Sequence, residues 1–63
     1  LNEAEFDQVA GIIKPILKSM PRTLDELAEA CSPIPAEKVI RAIQWLTDTG
    51  KVSVLPEGTY SWN

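Results

Sequence analysis

Histidine is absent from this 63-residue chain, and cysteine occurs once, at Cys31. One cysteine without a histidine cannot build a structural zinc site, a Cys–His or Ser–His catalytic pair, or an internal disulfide. A chain this short also buries only about 60% of the surface that its unfolded form exposes, which leaves little interior for an active-site cleft. We therefore expect a protein that is not an enzyme and that holds neither a metal nor a cofactor.

Long hydrophobic runs are missing as well. The longest apolar stretches without a charge are Val9–Ile13 and Val52–Pro56, far short of the roughly 20 residues that a membrane span needs. No basic segment followed by an apolar one marks a secretory signal peptide. We expect an intracellular protein, cytoplasmic or nuclear, that makes no membrane contact.

Positive charge is scarce. Six Lys and Arg residues against nine Asp and Glu residues give a net charge of −3. A free-standing nucleic-acid binder usually carries a basic excess, because much of its affinity comes from neutralising phosphates. The charge balance therefore argues against non-specific binding to nucleic acid, although it leaves room for a locally basic face.

The residues that are present predict a single folded domain over 1–63 that starts with a long helix. At 44% hydrophobic and 24% charged, the composition is that of a folded soluble protein. Asn2 is a suitable N-cap for a helix over 3–19, and we expect Pro15 to kink that helix rather than to end it. Its apolar positions recur every three or four residues: Phe6, Val9, Ala10, Ile13, Leu17 and Met20, widened by Ile12 and Ile16.

Two further helices follow. Thr23 and Glu26 form a capping-box pattern for a helix over 24–31, on which Cys31 is expected to be a small buried apolar residue. Pro35 suits the start of a third helix over 36–49, and Gly50 is its expected stop. The apolar stripe of the third helix is Val39, Ile40, Ile43 and Leu46.

The last segment, 51–62, predicts a β-hairpin. Lys51–Leu55 alternates and is rich in β-branched residues, Pro56–Gly58 is typical of a turn, and Thr59–Trp62 is the returning strand. Three helices with a tight turn before the third, followed by a hairpin, form a winged helix-turn-helix. The predicted class is therefore α+β, mainly α, with the hairpin as the wing.

Particular residues also resemble the winged-helix superfamily: Thr23–Ala28, Ile43–Leu46 and Gly50–Val52. The stretch Ala42–Val52 is similar to the C-terminal domain of the replication protein A middle subunit, an acidic winged helix that recruits repair and replication proteins and does not itself bind DNA. It is equally similar to small prokaryotic winged-helix proteins of uncertain role. The C-terminal winged helix of bacterial DNA-processing protein A matches more loosely, through Thr23–Ala28, Gly58 and Tyr60. The resemblance implies the winged-helix fold, and a shared fold does not by itself specify a function.

One candidate site is a protein-binding surface centred on Trp45. This residue is expected at the edge of the core near the hairpin, and partly exposed aromatic residues are typical interface anchors. Tyr60 and Trp62 share a face of the last strand, where they either contact a partner or cover the small core. The acidic residues of the same candidate site would attract a basic helix or peptide: Glu26, Glu29 and Asp48.

The alternative site is basic. Lys38, Arg41 and Gln44 are predicted on the outward face of the third helix, where a winged helix reads the major groove. The same residues also fit an ordinary solvated face, since Glu37 and Asp48 accompany them. A second basic strip, of residues spaced by four, would contact an acidic partner or complement the C-terminal end of the first helix: Lys14, Lys18 and Arg22.

Three functions therefore stay open. The first is a protein-interaction domain of a larger nucleic-acid-handling or regulatory factor. The second is a DNA-binding transcription regulator, acting as a homodimer because one weakly charged monomer would bind poorly. A purely structural scaffold, with neither partner, is a third reading of the same composition.

Overall fold

The computed structural model describes residues 2–63 and confirms the predicted order of elements. Three helices precede a two-stranded antiparallel hairpin in a mainly helical, winged-helix-like layout. The five elements are α1 (Glu3–Ser19), α2 (Leu24–Ala30), α3 (Ala36–Asp48), β1 (Val52–Val54) and β2 (Tyr60–Trp62). Helices α2 and α3 each end one residue earlier than predicted.

Local capping explains where the first two helices start. The Asn2 Oδ1 atom accepts a hydrogen bond of 2.8 Å from the backbone N–H of Glu5. Thr23 and Glu26 form both bonds of the capping box, with donor–acceptor distances of 3.2 and 2.9 Å. Pro15 lies inside α1, which continues to Ser19 as one helix. These side-chain bonds satisfy backbone donors that a helix start leaves without partners.

Gly50 ends α3 by adopting a backbone conformation that other residues avoid. Its φ is +79°, in the left-handed region that costs glycine nothing. Its N–H donates to the Thr47 carbonyl at 3.1 Å, and the Lys51 N–H donates to the Leu46 carbonyl at 2.9 Å. This pair of bonds is a Schellman motif, and it turns the chain directly from α3 into β1.

An isolated β-bridge, which the sequence did not predict, joins a third segment to the two-stranded sheet. Within the hairpin, Val52 pairs with Trp62 and Val54 pairs with Tyr60. On the other edge of β2, Arg22 and Tyr60 exchange two backbone hydrogen bonds of 3.1 and 2.7 Å. The connection between α1 and α2 is thereby fixed to the last strand. Arg22 is a single bridging residue, and one residue cannot show the alternation of apolar and polar side chains that predicts a strand. The sequence therefore contains no signal for this bridge.

The core lies between the three helices and the hairpin. Its buried members are Val9, Ile13, Leu17, Leu27, Cys31, Val39, Ala42, Ile43, Leu46 and Val52. The predicted burial of Cys31 is confirmed, and this burial raises the pKa of its thiol.

Three residues assigned to apolar stripes are exposed and do not lie in the core: Ile12, Met20 and Ile40. Ile12 is 36% exposed, because it lies about 100° around α1 from buried Ile13. Met20 is 54% exposed, because α1 has ended and its backbone is extended as the C-cap. Ile40 is 38% exposed, because it lies about 100° around α3 from Val39, on the side away from Ala42. Ala42 takes the core position instead, and Ile40 faces outward.

Candidate protein-binding surface

The outward face of α3 and the neighbouring hairpin carry exposed apolar side chains. Ile40, Trp45 and Val54 are exposed by 38%, 43% and 55%. Val54 has the same orientation as buried Val52, two residues earlier on β1, but it lies past the end of the core. Ile40 and Trp45 line one groove, and Trp45 and Val54 line another. Exposed apolar side chains that lie close to one another are typical of interaction sites.

Trp45 lies at the edge of the core, as expected. Its ring packs on the ring of Phe6 from α1, with the centroids 4.8 Å apart and the planes tilted by 47°. This contact supports one side of the indole and leaves the rest exposed. The contact with Phe6 was not foreseen, because it joins two helices that are distant in sequence.

Two shallow grooves lie on this surface, and both include Gln44 and Trp45. The hairpin groove, between α3 and the hairpin, has a volume of about 410 Å³ and is also lined by Ile43, Thr47, Asp48, Val54 and Tyr60. The outer groove, along the exposed face of α3, has a volume of about 520 Å³ and is also lined by Glu37, Ile40 and Arg41. Each groove therefore has one exposed aliphatic residue of its own, Val54 or Ile40.

The predicted protein-binding residues divide into two groups. Trp45, Asp48 and Tyr60 come together in the hairpin groove. The other three lie elsewhere in the described chain: Glu26 in the α2 capping box, Glu29 exposed on α2, and Trp62 packed against the core. The Thr23 N–H that binds Glu26 lowers the pKa of this carboxyl, and the Glu26 side chain is thereby engaged within its own helix.

The cations predicted on α3 both have acidic partners. Lys38 forms an ion pair with Glu5 of α1, and this contact holds the pKa of Glu5 below its ordinary value. The Arg41 guanidinium lies 3.6 Å from a Glu37 carboxylate oxygen one turn earlier. Gln44 is exposed and contributes to both grooves. The two positive charges are therefore partly neutralised before any phosphate could reach them.

The second basic strip is not continuous. Lys14 and Lys18 are exposed on α1, but α1 ends at Ser19, so the helical spacing does not extend to Arg22. Arg22 is half-buried in the bridge to Tyr60. Lys14 instead places its Nζ atom 5.6 Å from the centre of the Trp62 ring, a cation–π distance. Lys14 and Trp62, assigned to different sites by the sequence, thus stabilise the contact between α1 and β2.

Sequence reasoning missed Ile40 and Val54 as surface residues. A signal existed for Ile40, since it adjoins Val39, and neighbouring residues on a helix point about 100° apart. No comparable signal existed for Val54, because its exposure depends on where the hairpin leaves the helices.

Other kinds of site are not found in the described part of the chain. Between residues 2 and 63, no group of three or more His, Cys, Asp or Glu side chains is placed to hold a metal ion. None of the helices in that range has both the length and the apolarity that crossing a membrane requires.

No protein-family model, curated protein or solved structure matches the chain.

Proposed function

We propose that this domain is a non-enzymatic protein-interaction module, part of a larger intracellular factor that handles nucleic acid or regulates its use. The exposed apolar character of α3 and the adjoining hairpin carries the proposal. In a DNA-reading winged helix, the third helix presents polar and basic side chains to base edges and phosphates. Here the exposed apolar side chains Ile40 and Trp45 flank that face, with Arg41 and Gln44 between them, and Val54 is exposed on the hairpin.

The charges support the same conclusion. Lys38 and Arg41 are paired with carboxylates, and the hairpin tip carries Glu57 without a Lys or Arg. A net charge of −3 would repel a phosphate backbone and attract a basic partner segment. We therefore favour a basic peptide or helix of another protein as the partner.

Titration with duplex DNA tests the proposal against the transcription-regulator alternative. We expect a fluorescence-anisotropy titration of a 20-base-pair duplex at physiological salt to give a dissociation constant weaker than about 1 µM, because few phosphates are neutralised. The variant Lys38→Gln, Arg41→Gln is the matched control, and it should bind no more weakly than the wild type. Nanomolar affinity, with a salt dependence that indicates six or more phosphate contacts and is lost in the variant, would establish DNA binding by α3 instead.

A further inference from the structure

Asp48 is placed where its charge destabilises the free domain. It is the last residue of α3, at the end where the helix dipole is negative and where a cation, not an anion, is favourable. The last turn of α3 contains no Lys or Arg. Neither ion pair found in residues 2–63 involves Asp48, and Lys51, three residues later, does not pair with it. The carboxylate thus adds negative charge to an end that is already negative.

The two grooves differ in charge because Asp48, which has no ion-pair partner in residues 2–63, lines only the hairpin groove. Asp48 is the one charged side chain among the described residues that line the hairpin groove. The outer groove contains Glu37 and Arg41, which form a pair with each other. A cation from outside therefore gains more in the hairpin groove, where it would offset both Asp48 and the helix end.

The size of the hairpin groove limits what it can hold. Its volume of about 410 Å³ is in the lower part of the range of roughly 300–1,000 Å³ for sites that enclose small ligands. A standard protein–protein interface takes about 800 Å² from each partner, roughly a fifth of the 3951 Å² that this domain exposes. A groove of about 410 Å³ holds only a small part of such an interface. It fits one or two side chains of a short segment better than the flat surface of a folded domain.

We infer that the hairpin groove binds a short peptide segment of a partner protein, which places an apolar side chain against Val54 and Tyr60 and pairs a nearby Lys or Arg with Asp48. The inference rests on the proposed function and narrows it to one groove and one pattern of residues. Val54 and Tyr60 are directly opposed across the hairpin, so they offer a continuous apolar strip. Asp48 lines the same groove from the end of α3.

Peptide selection on the full chain supplies a probe. A phage-displayed library of random 12-residue peptides is selected on the immobilised domain, and enriched peptides are synthesised for titration. We expect the enriched sequences to combine Leu, Ile, Phe or Trp with a Lys or Arg within four residues. When such a peptide is titrated into the domain, the largest changes in backbone amide chemical shift, measured by NMR, should occur at Gln44, Thr47, Asp48 and Val54.

Matched variants separate the two grooves. Val54→Thr and Asp48→Asn, in the hairpin groove, should each weaken binding by about 3- to 10-fold. Ile40→Thr and Glu37→Gln, in the outer groove, should change it less than twofold. Asp48→Asn should also raise the Tm of the free domain by about 2–5 °C, since it removes an unfavourable helix-end charge. Opposite effects of one substitution on stability and on binding are not expected from a merely structural residue.

Three other results would overturn the inference. Enriched peptides that depend on Ile40 or on Glu29, and not on Val54 and Asp48, would overturn the inference while leaving an interaction module in place. A concentration-dependent dimer in sedimentation that Val54→Thr dissociates would make a second copy the occupant, and would likewise overturn it. Failure to enrich any peptide would overturn the inference but not the proposed function, which the DNA titration tests separately.

Discussion

Gly11 is a position at which one added methyl group should make the domain more stable. It lies in the middle of α1, and a Cβ atom built on it would meet no atom within 4 Å. Glycine inside a helix is roughly 0.5–1 kcal/mol less favourable than alanine, because the flexible glycine backbone loses more entropy on folding. We expect Gly11→Ala to raise the free energy of unfolding by about that amount, and the Tm by about 3–7 °C for a chain of this size.

The same substitution at Gly50 is the matched control. A Cβ atom at Gly50 would also meet no atom within 4 Å, but the backbone φ there is +79°. The alanine methyl group would therefore clash with nothing, but its backbone would be strained by the positive φ. Gly50→Ala should lower the free energy of unfolding by about 1–2 kcal/mol. Because neither site is crowded, the opposite signs isolate the contribution of the backbone from that of packing.

Urea denaturation followed by circular dichroism at 222 nm measures both changes. A destabilising effect of Gly11→Ala would refute the reasoning, and it would indicate that α1 needs glycine where the Pro15 ring crowds the Gly11 carbonyl. Repeating Gly11→Ala in a Pro15→Ala background separates these explanations. If the proline is responsible, the alanine should become stabilising in that background.

Three further predictions concern the cap, the core and pH. Thr23→Ala should lower the free energy of unfolding by about 1 kcal/mol in urea denaturation, because both bonds of the capping box depend on that residue; an unchanged midpoint would contradict the cap. Ile43→Ala should lower the free energy of unfolding by about 3–4 kcal/mol, and Trp45→Ala should lower it by about 2 kcal/mol. Tryptophan is the larger residue, but Trp45 is 43% exposed and Ile43 is only 2% exposed. The reverse order would show that the indole seals the core. The pKa of Glu5 and that of Glu26 lie below the ordinary value of 4.5, so their stabilisation is present above pH 4.5 and is lost as the pH falls through the lowered values. Tm measured from pH 7 to pH 3 should therefore fall at the acid end, and Glu26→Gln should make that fall shallower.

The sequence predicts those parts of the fold that depend on neighbouring residues. The capping box at Thr23 and the glycine at Gly50 locate the helix ends because their bonds span only a few positions. The alternation around Val52 predicts the hairpin for the same reason. The bridge between Arg22 and Tyr60 was missed because it joins residues 38 positions apart.

The candidate site was predicted in part, for a related reason. The angle of Trp45 on α3 relative to Ile43 predicts its position at the core edge. The hairpin groove could not be predicted, because it depends on how far the hairpin extends beyond α3. The pairing of Lys38 with Glu5 also joins separate helices, so its effect on the charge of α3 becomes visible only in the folded domain.

The position of β2 has a consequence for how the domain folds. This strand pairs with β1 on one edge and with Arg22 on the other, and its Trp62 ring lies beneath Lys14 of α1. The latest segment in the chain thus connects the earliest ones, and these contacts close long loops that form slowly. We therefore expect the amide proton of Arg22, which donates to the Tyr60 carbonyl, to exchange with solvent only when β2 is released.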